Sequence, residues 1–233
     1  ISLILAKILK VRRERFGIFC AGFATSNTIF IGLPVNIALF GEKAVPFVLL
    51  YYFANTLFFW TIGNYLISQG GEEAHKARLI SKKTLRQLVS PPILGMIAGV
   101  VVLLIGLPLP QFVSTSARYL GSLTTPLAIM VLGITLQGMN FSSLKIEREL
   151  VVIALGRFVV SPLTIVALTW LVPMPELMRQ VFIIQSSLPV VVSLSLLASY
   201  YNSDPEFGAV AVSSTTLVSI VTIPLFMILV THM

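Results

Sequence analysis

Seven stretches of this chain are each long and apolar enough to cross a bilayer, and charge is almost absent from them. A hydrocarbon core about 30 Å thick takes roughly 20 apolar residues in helix. The stretches run approximately over 17–40, 44–68, 88–107, 119–139, 150–172, 179–201 and 207–230, with the tail of another at 1–10. Period-2 alternation is absent, which argues against a transmembrane barrel. Helices satisfy their own backbone groups, as lipid requires. Of the 233 residues, 56% are hydrophobic and 11% charged, with mean hydropathy +0.95. Soluble domains carry about 25% charged residues, so the reading is an all-α integral membrane protein.

The net charge of +7 does not indicate nucleic acid, because the basic residues sit in connections between apolar runs. The connections around Lys7–Arg15, Gln69–Gln87 and Asn140–Glu149 hold twelve Lys and Arg, while the opposite side holds Lys43, Arg118 and Arg179. By the positive-inside bias the basic connections are cytoplasmic and the C-terminus is outside. Cys20 is the single cysteine, and with His75 and His232 in charged or terminal positions there is no zinc-type cluster. The first residue is Ile1, and the opening run ends in a basic loop. A signal peptide places its charge before the apolar core, so the chain reads as a fragment lacking two to three helices.

The longest connection, "QGGEEAHKARLISKKTLRQ", is a candidate linker over 69–87. Residues 1–68 then form the end of one five-helix repeat and 88–233 a second, inserted upside down because five is odd. Inverted repeats of this kind build many secondary transporters.

Two of the spans carry polar residues and a proline at mid-membrane: "ATSNTIFIGLPVNIALF" and "IIQSSLPVVVSLSLLASYY". Proline lacks an N–H and crowds the preceding turn. The pattern predicts that Gly32 with Pro34, and Pro189 after Gln185, Ser186 and Ser187, open the helices so that freed peptide groups hold a cargo. A plain kink, or hydrogen bonds that only join helices, would use the same residue types. Asn27 and Thr28 are candidate contacts from the first span, and Gln185, Ser186, Pro189 and Ser193 from the second. Arg157 is the one charge deep in a span, about 10 Å from its end; an embedded charge marks function, snorkels to the cytoplasmic face or makes a structural bond to backbone carbonyls. Thr125, beside Pro126, could line the same cavity, and Asn55 is a lesser candidate. Tyr51, Tyr52 and Phe58–Trp60 read as lipid-facing or packing residues, and Gly95 and Gly99 match small-residue helix packing. No Asp or Glu lies within the seven spans, which favours an anionic solute over a proton relay through these helices.

"SNTIFIGLP" resembles the auxin efflux carrier family, which includes plant auxin exporters and bacterial malate or malonate permeases. Asn27, Thr28, Phe30, Gly32 and Pro34 match its first motif, with Ile29 where glycine is usual. Leu188-Pro189 stands for its Met-Pro, and Ser193 for the asparagine four residues later. The stretches "SPPILGMIAGVVVLLIGLPLP" and "STTLVSIVTIPLF" are also similar to family segments. The resemblance implies ten helices in two inverted halves, two helices crossing at their prolines, and a place in the cell membrane, such as a bacterial inner membrane. It implies a secondary transporter of a small organic anion, with no cofactor; the coupling ion, H+ or Na+, and a homodimer stay open.

Rival readings are a seven-helix receptor or light-driven pump, an anion channel, and a membrane enzyme. A retinal protein needs a lysine in its last helix, and 207–230 has none. An enzyme lacks an embedded acid, base or metal ligand in these spans.

Overall fold

The structure is a computed structural model that describes residues 1–71, 91–123, 126–127, 130 and 147–231. Apolar runs without internal capping signals fold into helices: α1 (Ser2–Ile8), α2 (Arg13–Ala24), α3 (Leu33–Phe40), α4 (Val45–Phe58), α5 (Asn64–Ser68), α6 (Pro91–Ile105), α7 (Gln111–Ser122), α8 (Arg148–Leu155), α9 (Ser161–Leu171), α10 (Glu176–Ser186), α11 (Ser193–Tyr201) and α12 (Pro205–Thr231). Among the described residues there is no strand, only one isolated bridge between Ser26 and Val190.

Three unbroken helical runs are long and apolar enough to span a membrane: Glu42–Ser68, Arg148–Leu171 and Pro205–Thr231. They match three of the expected spans. The expected spans 17–40 and 179–201 are instead divided, the first into α2 and a run over Thr28–Phe40, the second into α10 and α11. The span 88–107 appears as α6. Helix α7 starts eight residues before the expected span at Tyr119. Most of the linker, Thr125 and nearly all of 124–146 lie outside the described residues.

Two proline-bearing runs carry a π-helical turn just ahead of the proline. Thr28–Gly32 precedes Pro34 in the first turn of α3, and Gly156–Val160 precedes Pro162 in the first turn of α9. A proline ring clashes with the carbonyl four residues back and offers no hydrogen bond to it. Widening the preceding turn relieves both problems while keeping the run helical. In the first run Gly32 N–H accordingly reaches back five residues, to Asn27 O at 3.1 Å.

Helix α2 is the centre of the packing. Its Ile18, Phe19, Cys20 and Ala21 pack with Ile67 of α5, Ile153 of α8, Leu194 and Ala198 of α11 and Ala211 of α12. Large apolar side chains on the other faces, among them Leu163, Trp170, Leu196 and Val221, are exposed, as lipid contact demands. Gly95 and Gly99 of α6 face open space among the described residues, so the expected helix contact is not made by those residues.

At the basic end of α2, Arg15 holds three chain segments together. Its guanidinium donates to Asp204 Oδ2 at 2.5 Å and to Glu147, and lies over the Phe207 ring with the centroid 4.4 Å away. Asp204 also accepts from the Phe207 N–H at 3.1 Å, capping α12. It does so from a left-handed backbone, φ +49°. Partial burial opposes ionisation of Asp204, but the Arg15 hydrogen bond, the Phe207 amide and the charges of Arg15 and Arg12 outweigh it and hold the carboxyl below its ordinary range.

A depressed folded-state value means that this hub stabilises the fold at neutral pH and stops doing so as pH falls through that value. Melting temperatures of wild type and Asp204→Asn, measured against pH, are therefore expected to differ at neutral pH and to converge below the ordinary carboxylate range. Parallel curves at all pH values would refute this role.

Candidate functional site

Lipid offers no partner to a bare peptide group, so each interruption has to be accounted for bond by bond. Helix α2 stops at Ala24, and Thr25 is extended (φ −112°, ψ 142°). The Thr25 hydroxyl donates to Ala21 O at 2.7 Å, within the last turn of α2. Ser26 and Asn27 stay unwound and the π turn begins at Thr28. The opening thus lies ahead of Gly32 and Pro34, not at them. The proline widens the turn, while the polar run Thr25–Asn27 is where the helix gives way. Helix α10 stops at Ser186, and Ser187 to Val192 are non-helical, with Pro189 among them. Here the proline does lie in the break, as the sequence led us to expect.

The two breaks meet. Ser26 and Val190 face each other as an antiparallel bridge, and Asn27 N–H donates to Pro189 O at 2.9 Å. With the bond falling on that neighbouring pair, the peptide groups of Ser26 and Val190 point away from each other. Each finds a side chain one helix further on, beyond the half-helix that follows its own break. Asn55 of α4 takes the Ser26 N–H on Oδ1 at 3.0 Å and donates from Nδ2 to Ser26 O at 3.1 Å. Thr215 of α12 accepts the Val190 N–H at 3.2 Å.

The carbonyl ends of the broken helices are gathered by Arg157. This side chain is 0% exposed. Nη2 donates to Ser186 O at 2.7 Å, Nε to Leu188 O at 3.1 Å, and Nη1 to Phe23 O at 3.4 Å and to the Ser161 hydroxyl at 3.1 Å. The Tyr51 phenol also interacts with it. Arg157 does not snorkel. Its π turn projects it inward, and Gly156 allows the approach: a Cβ there would stand 2.4 Å from the Phe23 ring.

The expected contacts divide into two sets. Asn27 and Thr28 are buried, at 2% and 3% exposure. The Asn27 carboxamide makes no hydrogen bond among the described residues. Gln185 donates to Thr28 O at 3.3 Å, and Gly32 gives it room, since a Cβ would stand 2.3 Å from Gln185 Oε1. That oxygen is buried with no donor among the described residues, as is Asn36 Oδ1, whose Nδ2 holds Gly32 O at 2.7 Å. The Ser186 hydroxyl instead turns back to Ile183 O at 2.8 Å, a common fate of helical serine. Ser193 opens α11 and is half-buried, and Pro189 lends its carbonyl to Asn27.

Two open hollows, of about 270 and 210 Å³, flank the first break and share Ala24 and Tyr51. The larger adds Phe23, Ser161 and Thr164, the smaller Asn55 and Phe58. Tyr51 therefore stands between two cavities rather than facing only lipid. Nothing in the sequence separates Tyr51 from Tyr52. Thr215 was likewise invisible, since a mid-span threonine usually bonds only its own helix, and this one does also reach Ala211 O at 2.8 Å.

Comparison with known proteins agrees with this architecture. The profile of the membrane transport protein family matches residues 1–227. An uncharacterized transporter of Methanocaldococcus jannaschii is 28% identical over 223 residues, covering 94% of this chain and 70% of that protein. An uncharacterized transporter of Methanothermobacter thermautotrophicus is 27% identical over 204 residues, covering 87% of this chain and 64% of that protein.

Removing the Asn55 carboxamide leaves the Ser26 N–H of the break unpaired, while Ser26 O keeps the Thr28 N–H at 2.9 Å. Asn55→Ala is expected to destabilise the protein by about 1–3 kcal/mol, as for a buried polar group left without its partner. Denaturation in detergent would check this; an unchanged midpoint would show that Ser26 needs no clasp.

Proposed function

The chain belongs to the membrane transport protein family, also called the auxin efflux carrier family, and on that premise we propose that it is a secondary transporter of a small organic anion. The cargo is a carboxylate or dicarboxylate, held where the two broken helices cross. One observation carries this reading: Arg157 takes up the carbonyl ends of α2 and α10. A helix C-terminus carries about half a negative charge and an N-terminus about half a positive one. With both negative ends met by a full positive charge, the N-terminal ends at Thr28 and Ser193 remain. The residual field at the crossing favours an anion, and helix N-termini are suited to bind a carboxylate.

The idle Asn27 carboxamide supplies a further donor, and the Tyr51, Ser161 and Thr164 hydroxyls line the approach. The acceptors on Gln185 and Asn36, which no donor reaches among the described residues, would suit a cargo hydroxyl. Thr125 remains a candidate lining residue on sequence grounds.

The clasping of the breaks also supports the inverted repeat. Each break is clasped from one helix beyond the half-helix that follows it, by Asn55 for Ser26 and by Thr215 for Val190. In this reading 1–68 and 88–233 belong to two related halves, and alternating access comes from one helix group rocking around the crossing. The basic connections lie in the cytoplasm, following the charge bias.

The test is counterflow in proteoliposomes, with acids chosen by a thermal-shift screen of mono- and dicarboxylates. Saturable exchange of an organic acid is expected, and Asn27→Ala should reduce it about ten- to a hundredfold, the loss of one hydrogen bond to a charged group. Wild-type exchange by a folded Asn27→Ala protein would remove Asn27 from the site. Non-saturating flux would mark a channel.

A further inference from the structure

Transporters with discontinuous helices commonly place a coupling cation against the freed carbonyls and half-helix C-terminal ends. Such ends present carbonyls that no backbone N–H can reach and a concentrated negative dipole. In this protein those groups already have a cation. The Arg157 guanidinium holds Ser186 O, Leu188 O and Phe23 O, from both broken helices, with Ser161 Oγ filling a fourth direction. The guanidinium is a planar fork of five donors that keeps its charge and is less strongly hydrated than an ammonium. It can therefore stay dry and still serve carbonyls that diverge. The π turn and the close seating of Gly156 on Phe23 fix it there. Among the described residues no group of His, Cys, Asp or Glu could hold a metal ion as an alternative.

We propose that Arg157 is a positioning residue that acts as a built-in cation for the crossing, occupying the carbonyl ends that Na+ or K+ would otherwise bind. The crossing then takes no alkali ion, and exchange at this site proceeds without one. An entering alkali ion would meet a like charge and carbonyls already engaged. The inference rests on the transporter reading above, but its first test does not require a known cargo.

Wild-type protein in detergent is melted in NaCl, KCl, choline chloride and N-methylglucamine chloride at one ionic strength. Equal melting temperatures, within about 1 °C, are expected, because only a ligand that binds the folded state raises stability. A rise specific to Na+ or K+ would overturn the proposal. Counterflow in the same salts should give equal rates. Arg157→Ala should lose exchange about a hundredfold, since it leaves the carbonyl ends unmet, and guanidinium ion or a high alkali salt should restore part of it. Arg157→Lys should recover little, because one ammonium cannot span the same carbonyls. A folded Arg157→Ala protein that exchanges at the wild-type rate, or whose loss no added cation reverses, would overturn it. If Arg157→Ala does not fold, the wild-type salt series decides alone. If no organic acid exchanges in any salt, the transport reading fails while the melting series still judges the role of Arg157.

Discussion

A peptide group in lipid has to be bonded within the protein, and this chain unwinds two helices at points buried inside the helix packing. Everything around the crossing follows from that constraint. The breaks partly satisfy each other through the Ser26–Val190 bridge and the Asn27–Pro189 hydrogen bond. The groups that point outward are met by Asn55 on one side and Thr215 on the other. The carbonyl ends converge on Arg157. A change in any one of these partners exposes a backbone group rather than merely loosening a contact, which is why polar side chains recur at this depth.

The same bonds set the electrostatics. A buried cation costs stability unless it is fully engaged. Arg157 is engaged by the negative ends of two helices, so its desolvation and theirs offset each other. What remains is the positive end of each following half-helix, together with an asparagine whose carboxamide is uncommitted among the described residues. In the transport reading proposed above, this arrangement favours an anion without placing a free arginine in the cargo's path. At the basic end of α2, the Arg15 hub binds the loop ahead of α8 and the loop ahead of α12 to the same helix. One helix therefore connects the crossing to the membrane surface.

Much of this was legible in the sequence. Apolar runs, charge-poor interiors and basic connections announce membrane helices because lipid tolerates little else. The two polar-and-proline spans announced the breaks, and Asn27, Thr28, Gln185 and Pro189 do meet there. The first break was misplaced onto Gly32 and Pro34. A proline followed by a regular helix can be absorbed by a π turn, whereas a run of Thr, Ser and Asn competes with the helix for backbone bonds. Arg157 showed itself as a lone embedded charge, but three of its partners are carbonyls, which carry no sequence mark.

The sequence by itself determined that the chain lies in a membrane, that two spans are weak at their middle, and that one cation lies deep within a span. These are properties of residue type and spacing, and they hold whatever the helices touch. Only the tertiary structure decided that the two weak points cross, that Asn55 and Thr215 rather than their neighbours clasp them, and that Arg157 faces helix ends. The crossing brings together segments more than 150 residues apart, and all three outcomes depend on which backbone groups arrive beside which side chains; a backbone group looks the same at every position until the fold brings it to a partner.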